Sequence, residues 1–175
     1  MRSFYASRLA LALTVLLCAC VSNVPVWETV DDEIVQPVAA RRPSSIVFAI
    51  PEGAVRETFA QDSMSQVYSA PDGSYEITAT VFDTADPDAA IALLTGFDAS
   101  QLQIVTTTRF SLPEYQFAWC AAADSGERLF RASVLCDEQY CYALCFSRPA
   151  ASGTDYDSTC ESVFATFGLY FDETQ

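Results

Sequence analysis

The sequence predicts an α+β fold, an antiparallel β-sheet of about six strands sandwiched between helices in an α/β/α arrangement. Three observations predict it: repeated hairpin signals, two segments with helical apolar spacing, and one strand that is apolar on both faces. Residues 140–147 read YCYALCFS, so aromatic and leucine side chains point one way while cysteine and alanine point the other. A sheet that is apolar on both faces has to be covered on both.

The first half of the folded region is predicted to contain three strands. An apolar β-branched run, residues 46–50, is followed by Pro51 and Gly53, which indicate a strand and a turn. Residues 64–69 and 75–82 then form a hairpin joined at Pro71-Asp72-Gly73, because proline sets φ early in a turn and glycine accepts a positive φ.

Two helices are predicted to cover the sheet. Asp86 followed by Pro87 is typical of a helix start, and Gly96 of its end, which gives a helix over residues 87–95. Its inward side chains are expected to be Ile91, Leu93 and Leu94. A second helix, residues 155–168, has its apolar stripe at Tyr156, Cys160, Val163, Phe164 and Phe167.

The remaining strands follow one another along the last half of the chain. A strand over residues 102–109 is expected to be broken by Pro113. Strands 115–122, 128–136 and 140–147 come next, with a turn at residues 124–126 and a two-residue loop at Glu138-Gln139.

The N-terminus has the order of a cleavable export signal. Arg2 and Arg8 precede an apolar run of about nine residues, which is too short to span a membrane as a helix. Residues 17–20, LCAC, resemble the lipobox of bacterial lipoproteins. That resemblance implies that Cys20 is acylated and becomes the first mature residue. The alternative is an ordinary signal-peptidase site nearby, with Cys20 a plain thiol.

The chain is therefore expected to divide into a leader, residues 1–19, a tether, 20–43, a sandwich domain, 44–171, and a short tail, 172–175. The tether mixes prolines with a charge cluster and shows no periodicity, so an extended spacer is expected. Lipidation would place the protein on the extracytoplasmic face of the cell membrane.

Composition excludes several functions. Without the leader, seven basic residues remain against 23 acidic ones, a net charge of −16, which argues against nucleic acid as a partner. The chain contains no lysine and no histidine, so a Ser-His-Asp triad and Schiff-base chemistry are impossible. No cofactor, metal site or catalytic residue is predicted.

Five cysteines follow Cys20, in a compartment that permits disulfides. If Glu138-Gln139 form a two-residue loop, Cys136 faces Cys141 at a Cα distance of about 4.5 Å, which suits a disulfide. A second bridge, Cys145 with Cys160, is expected if the last helix covers the face of Cys145. Cys120 points to the same face if Gly126 makes a bulged turn that sets it opposite Phe130, so it competes with Cys145 for Cys160. The favoured set leaves Cys120 buried and free.

Four segments resemble the PsbP-like group of proteins: IVFAIPEG at Ile46, YQFAW at Tyr115, YCYALCFS at Tyr140 and STCESVFATFGL at Ser158. The likeness spans roughly residues 46–169 and lies in packing residues. It implies the fold and, since members of that group bind partner proteins, a binding role; it implies no site residues.

The expected function is therefore a non-catalytic binding or assembly role at the cell envelope, with an envelope protein as partner. The alternative is a thiol-redox or hydrolytic enzyme that uses Cys120 or a pair of carboxylates. A redox cysteine needs a lowered pKa, which is typical of a Cys-x-x-Cys motif or a helix N-terminus. The cysteines here are separated by four and three residues within strands, and this spacing favours neither a redox thiol nor a zinc site. A third possibility, a ligand carrier, requires a large apolar pocket.

Overall fold

A computed structural model describes residues 42–57, 64–123, 126–152 and 156–170. The predicted leader, Cys20, nearly all of the tether and the tail lie outside the described residues. Within the described ranges, no helix is both long enough and apolar enough to cross a bilayer.

Within these ranges, nine strands form two antiparallel sheets. The smaller sheet pairs β1 (Ser45–Val47) with β9 (Gly168–Tyr170). The larger sheet has the order β2-β3-β4-β8-β7-β6-β5. Its strands are β2 (Val55–Glu57), β3 (Ser65–Ser69), β4 (Glu76–Phe82), β5 (Val105–Arg109), β6 (Leu112–Ala123), β7 (Gly126–Cys136) and β8 (Cys141–Pro149). β2 and β9 were not expected from the sequence, and β1 is shorter than the predicted run.

Helix α1 (Pro87–Thr95) has the predicted bounds. The Asp86 carboxylate accepts a hydrogen bond from the Asp88 amide at 3.0 Å, and Gly96 ends the helix with a φ of 77°. Ile91 is buried as expected, but Leu93 is 70% exposed, so its predicted inward orientation is wrong. Two residues along a helix are roughly 200° apart, which turns Leu93 away from the face of Ile91.

Helix α2 (Asp157–Ala165) and α1 cover opposite faces of the large sheet, which confirms the α+β sandwich. We call the two sides the α2 face and the α1 face. The α2 face packs α2 against sheet residues that include Ile77, Leu135, Tyr142, Leu144 and Phe146. The α1 face packs Ile91 against sheet residues that include Ala132, Val134, Cys141, Ala143 and Cys145.

The turn between β5 and β6 differs from the expected break at Pro113. Phe110 and Ser111 both have positive φ, 52° and 66°, which is the geometry of a type I′ hairpin turn. β6 already begins at Leu112, and Pro113 lies in it opposite Thr108. Proline is tolerated there because pairing between β6 and β7 starts only at Glu114.

The register between β6 and β7 also differs from the expected one. Ala123 pairs with Gly126, so Cys120 lies opposite Leu129 and Trp119 lies opposite Phe130. A shift of one residue moves a side chain to the other face of a sheet. Cys120 is consequently on the α2 face and exposed, and the prediction of a buried Cys120 is wrong.

Candidate functional site

An open groove of about 540 Å³ lies on the α2 face. It lies beside the first turns of α2, over strands β6, β7 and β8. Its charged residues are Arg131, Arg148, Asp157 and Glu161, and its apolar residues are Ala118, Trp119, Leu129, Phe130, Phe146 and Cys160.

Strand register explains why arginines and apolar side chains alternate on the floor of the groove. Arg131 of β7 lies opposite Phe146 of β8, and Leu129 lies opposite Arg148. The four residues form a square in which the two arginines occupy one diagonal. Such diagonal neighbours lie roughly 7–8 Å apart. An elongated molecule over Leu129 and Phe146 would therefore have a guanidinium on either side.

Arg131 is held against α2. One of its terminal nitrogens donates to a carboxylate oxygen of Glu161 at 2.6 Å, and its guanidinium lies 4.9 Å from the centre of the Phe164 ring. The Glu161 side chain is 69% exposed. An ion pair with one partner in water contributes only about 0–1 kcal/mol, so Glu161 is held weakly.

Arg148 lies at the end of the groove near the start of α2. It donates to the carbonyl oxygen of Ser152 at 2.8 Å and lies 3.5 Å from a carboxylate oxygen of Asp157. The Asp157 side chain is 58% exposed. The ion pair with Asp157 is long and exposed, whereas the bond to the Ser152 carbonyl is short and restrains the guanidinium.

A buried carboxylate stands next to the groove. Glu114 of β6 is 3% exposed and accepts hydrogen bonds from Ser133 at 2.7 Å and Thr107 at 2.9 Å. Arg109 completes the site with an ion pair of 3.0 Å. Burial alone would raise the pKa of Glu114, but these bonds, together with one from Gln116, outweigh it and lower the pKa below its ordinary value.

Arg109 connects this carboxylate to the groove wall. One of its terminal nitrogens donates to the carbonyl oxygens of Phe164 and Phe167, each at 3.0 Å. These carbonyls lie at the C-terminal end of α2, where a cation is favourable. Glu114 thus positions Arg109, and Arg109 holds the helix that forms the wall of the groove.

Sequence reasoning missed Glu114, Arg109 and both groove arginines as site residues. A signal was present for Glu114, because it occupies the same strand face as apolar positions and a carboxylate there needs a cation. That cation is Arg109, and the register of the β5–β6 hairpin places it beside Glu114. The sequence-based prediction misjudged this hairpin at Pro113.

The cysteines follow the alternation of side chains across the sheet. Cys136 and Cys141 form a disulfide with Cα atoms 4.2 Å apart, the pairing that the two-residue loop predicts. Cys145 and Cys160 are both free and buried. The predicted bridge between them is wrong, because Cys145 lies on the α1 face while Cys160 belongs to α2 on the opposite side.

The three free thiols in the described residues all have raised pKa values. Burial, with a contribution from Glu76, raises the pKa of Cys145 to about 12. Burial also raises the pKa of Cys160, against the opposing effect of Arg131. Partial desolvation and the neighbouring Glu127 carboxylate raise the pKa of Cys120. A raised pKa leaves little thiolate near neutral pH.

Among the described residues, no group of three cysteines and carboxylates is arranged to hold a metal ion. The groove carboxylates Asp157 and Glu161 are each engaged by an arginine. The groove presents two guanidiniums, two exposed carboxylates and an apolar floor to a bound molecule.

Comparison with known proteins finds no matching family model, and a comparison with curated proteins finds no match. Solved structures do match. CyanoP, the cyanobacterial PsbP of Synechocystis sp. PCC 6803, is 13% identical, with a TM-score of 0.53 over 75% of this chain and 96% of that chain. The chain has a PsbP-like fold.

Two further solved structures are similar. A crystal structure from Bacteroides thetaiotaomicron VPI-5482 is 10% identical with a TM-score of 0.50; the match covers 74% of this chain and 46% of that one, so this chain spans less than half of it. LpqN of Mycobacterium tuberculosis, involved in cell envelope biogenesis, is 10% identical with a TM-score of 0.43, over 74% of this chain and 87% of that chain.

Proposed function

We propose that the protein is a lipid-anchored, extracytoplasmic protein that binds another component of the cell envelope and performs no catalysis. The observation that carries the proposal is the groove on the α2 face. Its volume of about 540 Å³ lies in the range of protein ligand sites. Its wall, α2, is fixed from behind by Arg109 and the buried Glu114.

The proposed role is binding because the groove lacks an activated group among the residues described. Its one thiol, Cys160, has a raised pKa, and its two carboxylates face arginines. An enzyme of the thiol-redox class needs a thiolate, which a raised pKa disfavours. The absence of histidine and lysine from the sequence removes the commonest general bases for a hydrolase.

The anchor rests on the sequence of the leader and of residues 17–20. The domain has an ordered entry point for such a tether. The amide of Ser44 donates to the hydroxyl of Tyr142 at 3.1 Å, and this hydroxyl donates to Asp137 at 2.9 Å. A chain that arrives from a membrane anchor would thus be tied to the β7–β8 hairpin before β1 begins.

Anchoring is tested with two matched cysteine variants. Cells that express Cys20→Ser are expected to incorporate no labelled palmitate into the protein and to release it from membranes. Cys18→Ser, which changes only the predicted leader, should keep both the label and the membrane association. Label on Cys20→Ser, or its retention on membranes, would show that the anchor assignment is wrong.

The binding role is tested with a photocrosslinking amino acid in the groove. Placed at Leu129, which is exposed on the groove floor, it should give one discrete crosslinked product in intact cells. The control position is Leu93, which is more exposed but lies on the outer side of α1. The same product from both positions, or none from Leu129, would contradict a role for the groove.

A further inference from the structure

The groove combines two arginines with two exposed carboxylates, in a protein that is strongly acidic as a whole. The chain carries a net charge of −14 and no lysine. Three of the six arginines within the described ranges, Arg109, Arg131 and Arg148, nevertheless lie along α2 on one face of the sheet. Two of them flank the apolar floor of the groove. Guanidinium groups suit carboxylates and phosphates, to which they donate in pairs.

The ion pairs that these two arginines make with Glu161 and Asp157 are exposed. Glu161 and Asp157 are both more than half exposed, so each remains well solvated when it leaves its arginine. Neither carboxylate is needed to hold its arginine in place, because Arg131 also rests on the Phe164 ring and Arg148 also donates to Ser152. An entering anion can take over the guanidiniums and leave the two acids in water.

The floor supplies the other half of the recognition. Phe146 is buried at its base, while Leu129 and Ala118 are open to the groove. Covering Leu129 and Ala118 with apolar atoms stabilises a complex by about 25 cal/mol for each Å² removed from water. A purely ionic ligand would leave this apolar surface exposed to water.

We infer that the groove binds a small amphipathic anion, with a carboxylate or phosphate head between Arg131 and Arg148 and an apolar body over Leu129 and Ala118. This inference deepens the proposed binding role and rests on it, but it does not depend on lipidation of Cys20. The volume of the groove, about 540 Å³, accommodates a single-chain molecule of this kind.

The test compares three ligands that share one tail. Mature chain, residues 20–175 with Cys20→Ser so that no acyl group of its own competes, is titrated calorimetrically with decanoate, decyl phosphate and decyltrimethylammonium. At least one of the two anions is expected to bind saturably, at least tenfold more tightly than the cation. The ratio of decanoate to decyl phosphate affinity identifies the preferred head. Equal binding of the cation, or no saturable binding of either anion, would overturn the inference.

Variants of the groove sharpen the test. Leu129→Glu, at an exposed position, should weaken anion binding at least tenfold without a change in circular dichroism. Glu161→Gln should tighten it about threefold or more, because a competing carboxylate is removed. Glu138→Gln changes the net charge equally at the far turn of the β7–β8 hairpin and should leave affinity unchanged. Equal effects of Glu161→Gln and Glu138→Gln would point to bulk charge and refute the site.

The outcome is separable from that of the proposed function. If no anion binds while the Leu129 crosslink persists, the ligand class is wrong and the binding role of the groove stands. If an anion binds and no crosslink forms, the groove is a ligand site and the partner-binding role falls.

Discussion

Replacement of Arg109 by methionine tests the buried network that holds α2. The substitution keeps most of the apolar stem but removes the cation of Glu114, a carboxylate that is only 3% exposed. It also deprives the carbonyls of Phe164 and Phe167 of their donor. Breaking a buried pair by removing one partner costs about 3–5 kcal/mol. Because Arg109 is itself partly solvated, we expect the lower end, a loss of about 3 kcal/mol in the free energy of unfolding.

The matched control is Arg131→Met. Its partner, Glu161, is largely in water, so the ion pair contributes about 0–1 kcal/mol, and the stacking on Phe164 about 1 kcal/mol at most. Both variants are measured by urea denaturation at pH 7. A loss for Arg109→Met no larger than that for Arg131→Met would refute the assignment of Glu114 and Arg109 as a buried support of the helix.

The pH dependence gives an independent check on Glu114. Its pKa is lowered in the folded protein, so it binds fewer protons than in the unfolded chain. Its contribution to stability is present above the unfolded pKa and is lost as pH falls through the folded pKa. The Glu114→Gln variant should therefore have a lower free energy of unfolding than the parent at pH 7. On acidification, its free energy of unfolding should fall by less than that of the parent. An unchanged acid limb of the stability curve would contradict this.

Three further predictions concern the core and the sulfurs. Ile91→Ala should destabilise the protein by about 2–4 kcal/mol and Leu93→Ala by less than about 1 kcal/mol, as measured by thermal unfolding, because only Ile91 is buried; equal losses would contradict the assigned face of α1. Reduction of the Cys136–Cys141 disulfide removes a loop constraint from the unfolded chain and should lower the free energy of unfolding by about 2 kcal/mol. Reductant should therefore lower the urea midpoint of the parent but not that of a Cys136→Ala, Cys141→Ala double variant. In mature chain with Cys20→Ser, a thiol reagent should modify Cys120 slowly and leave Cys145 and Cys160 unmodified until urea is added; fast reaction at neutral pH would favour the thiol-redox alternative.

The sequence correctly predicted the elements that are determined by residues close together in the chain. The first helix follows from Asp86, Pro87 and Gly96, each of which acts within its own turn. The pairing of Cys136 with Cys141 follows from a loop of two residues, Glu138 and Gln139, between complementary strands. Such features need no knowledge of distant residues.

The errors arose where distant parts of the chain decide the outcome. Which helix covers which face is fixed by the whole topology, so the bridge between Cys145 and Cys160 was placed on one face when the two lie on opposite sides. The pairing of β1 with β9 joins residues more than 100 positions apart, and no local pattern marks it.

The groove was the least predictable feature for the same reason. Arg131 and Arg148 come from adjacent strands, and Asp157 and Glu161 come from a helix that must first be placed on the correct face. The Arg109 site depends on a hairpin turn at Phe110 and Ser111, two residues that do not favour positive φ. A one-residue error at either hairpin would send the relevant side chains to the other face.

Photocrosslinking from position 129 in intact cells, with position 93 as control, tests the central claim that the groove on the α2 face is the surface through which the protein acts. A discrete product from Leu129 that is absent from Leu93, and that disappears when Arg148 is replaced by glutamate in a protein of unchanged circular dichroism, is the result expected. Identical products from the two positions, or a product from Leu129 that Arg148→Glu does not reduce, would contradict the claim.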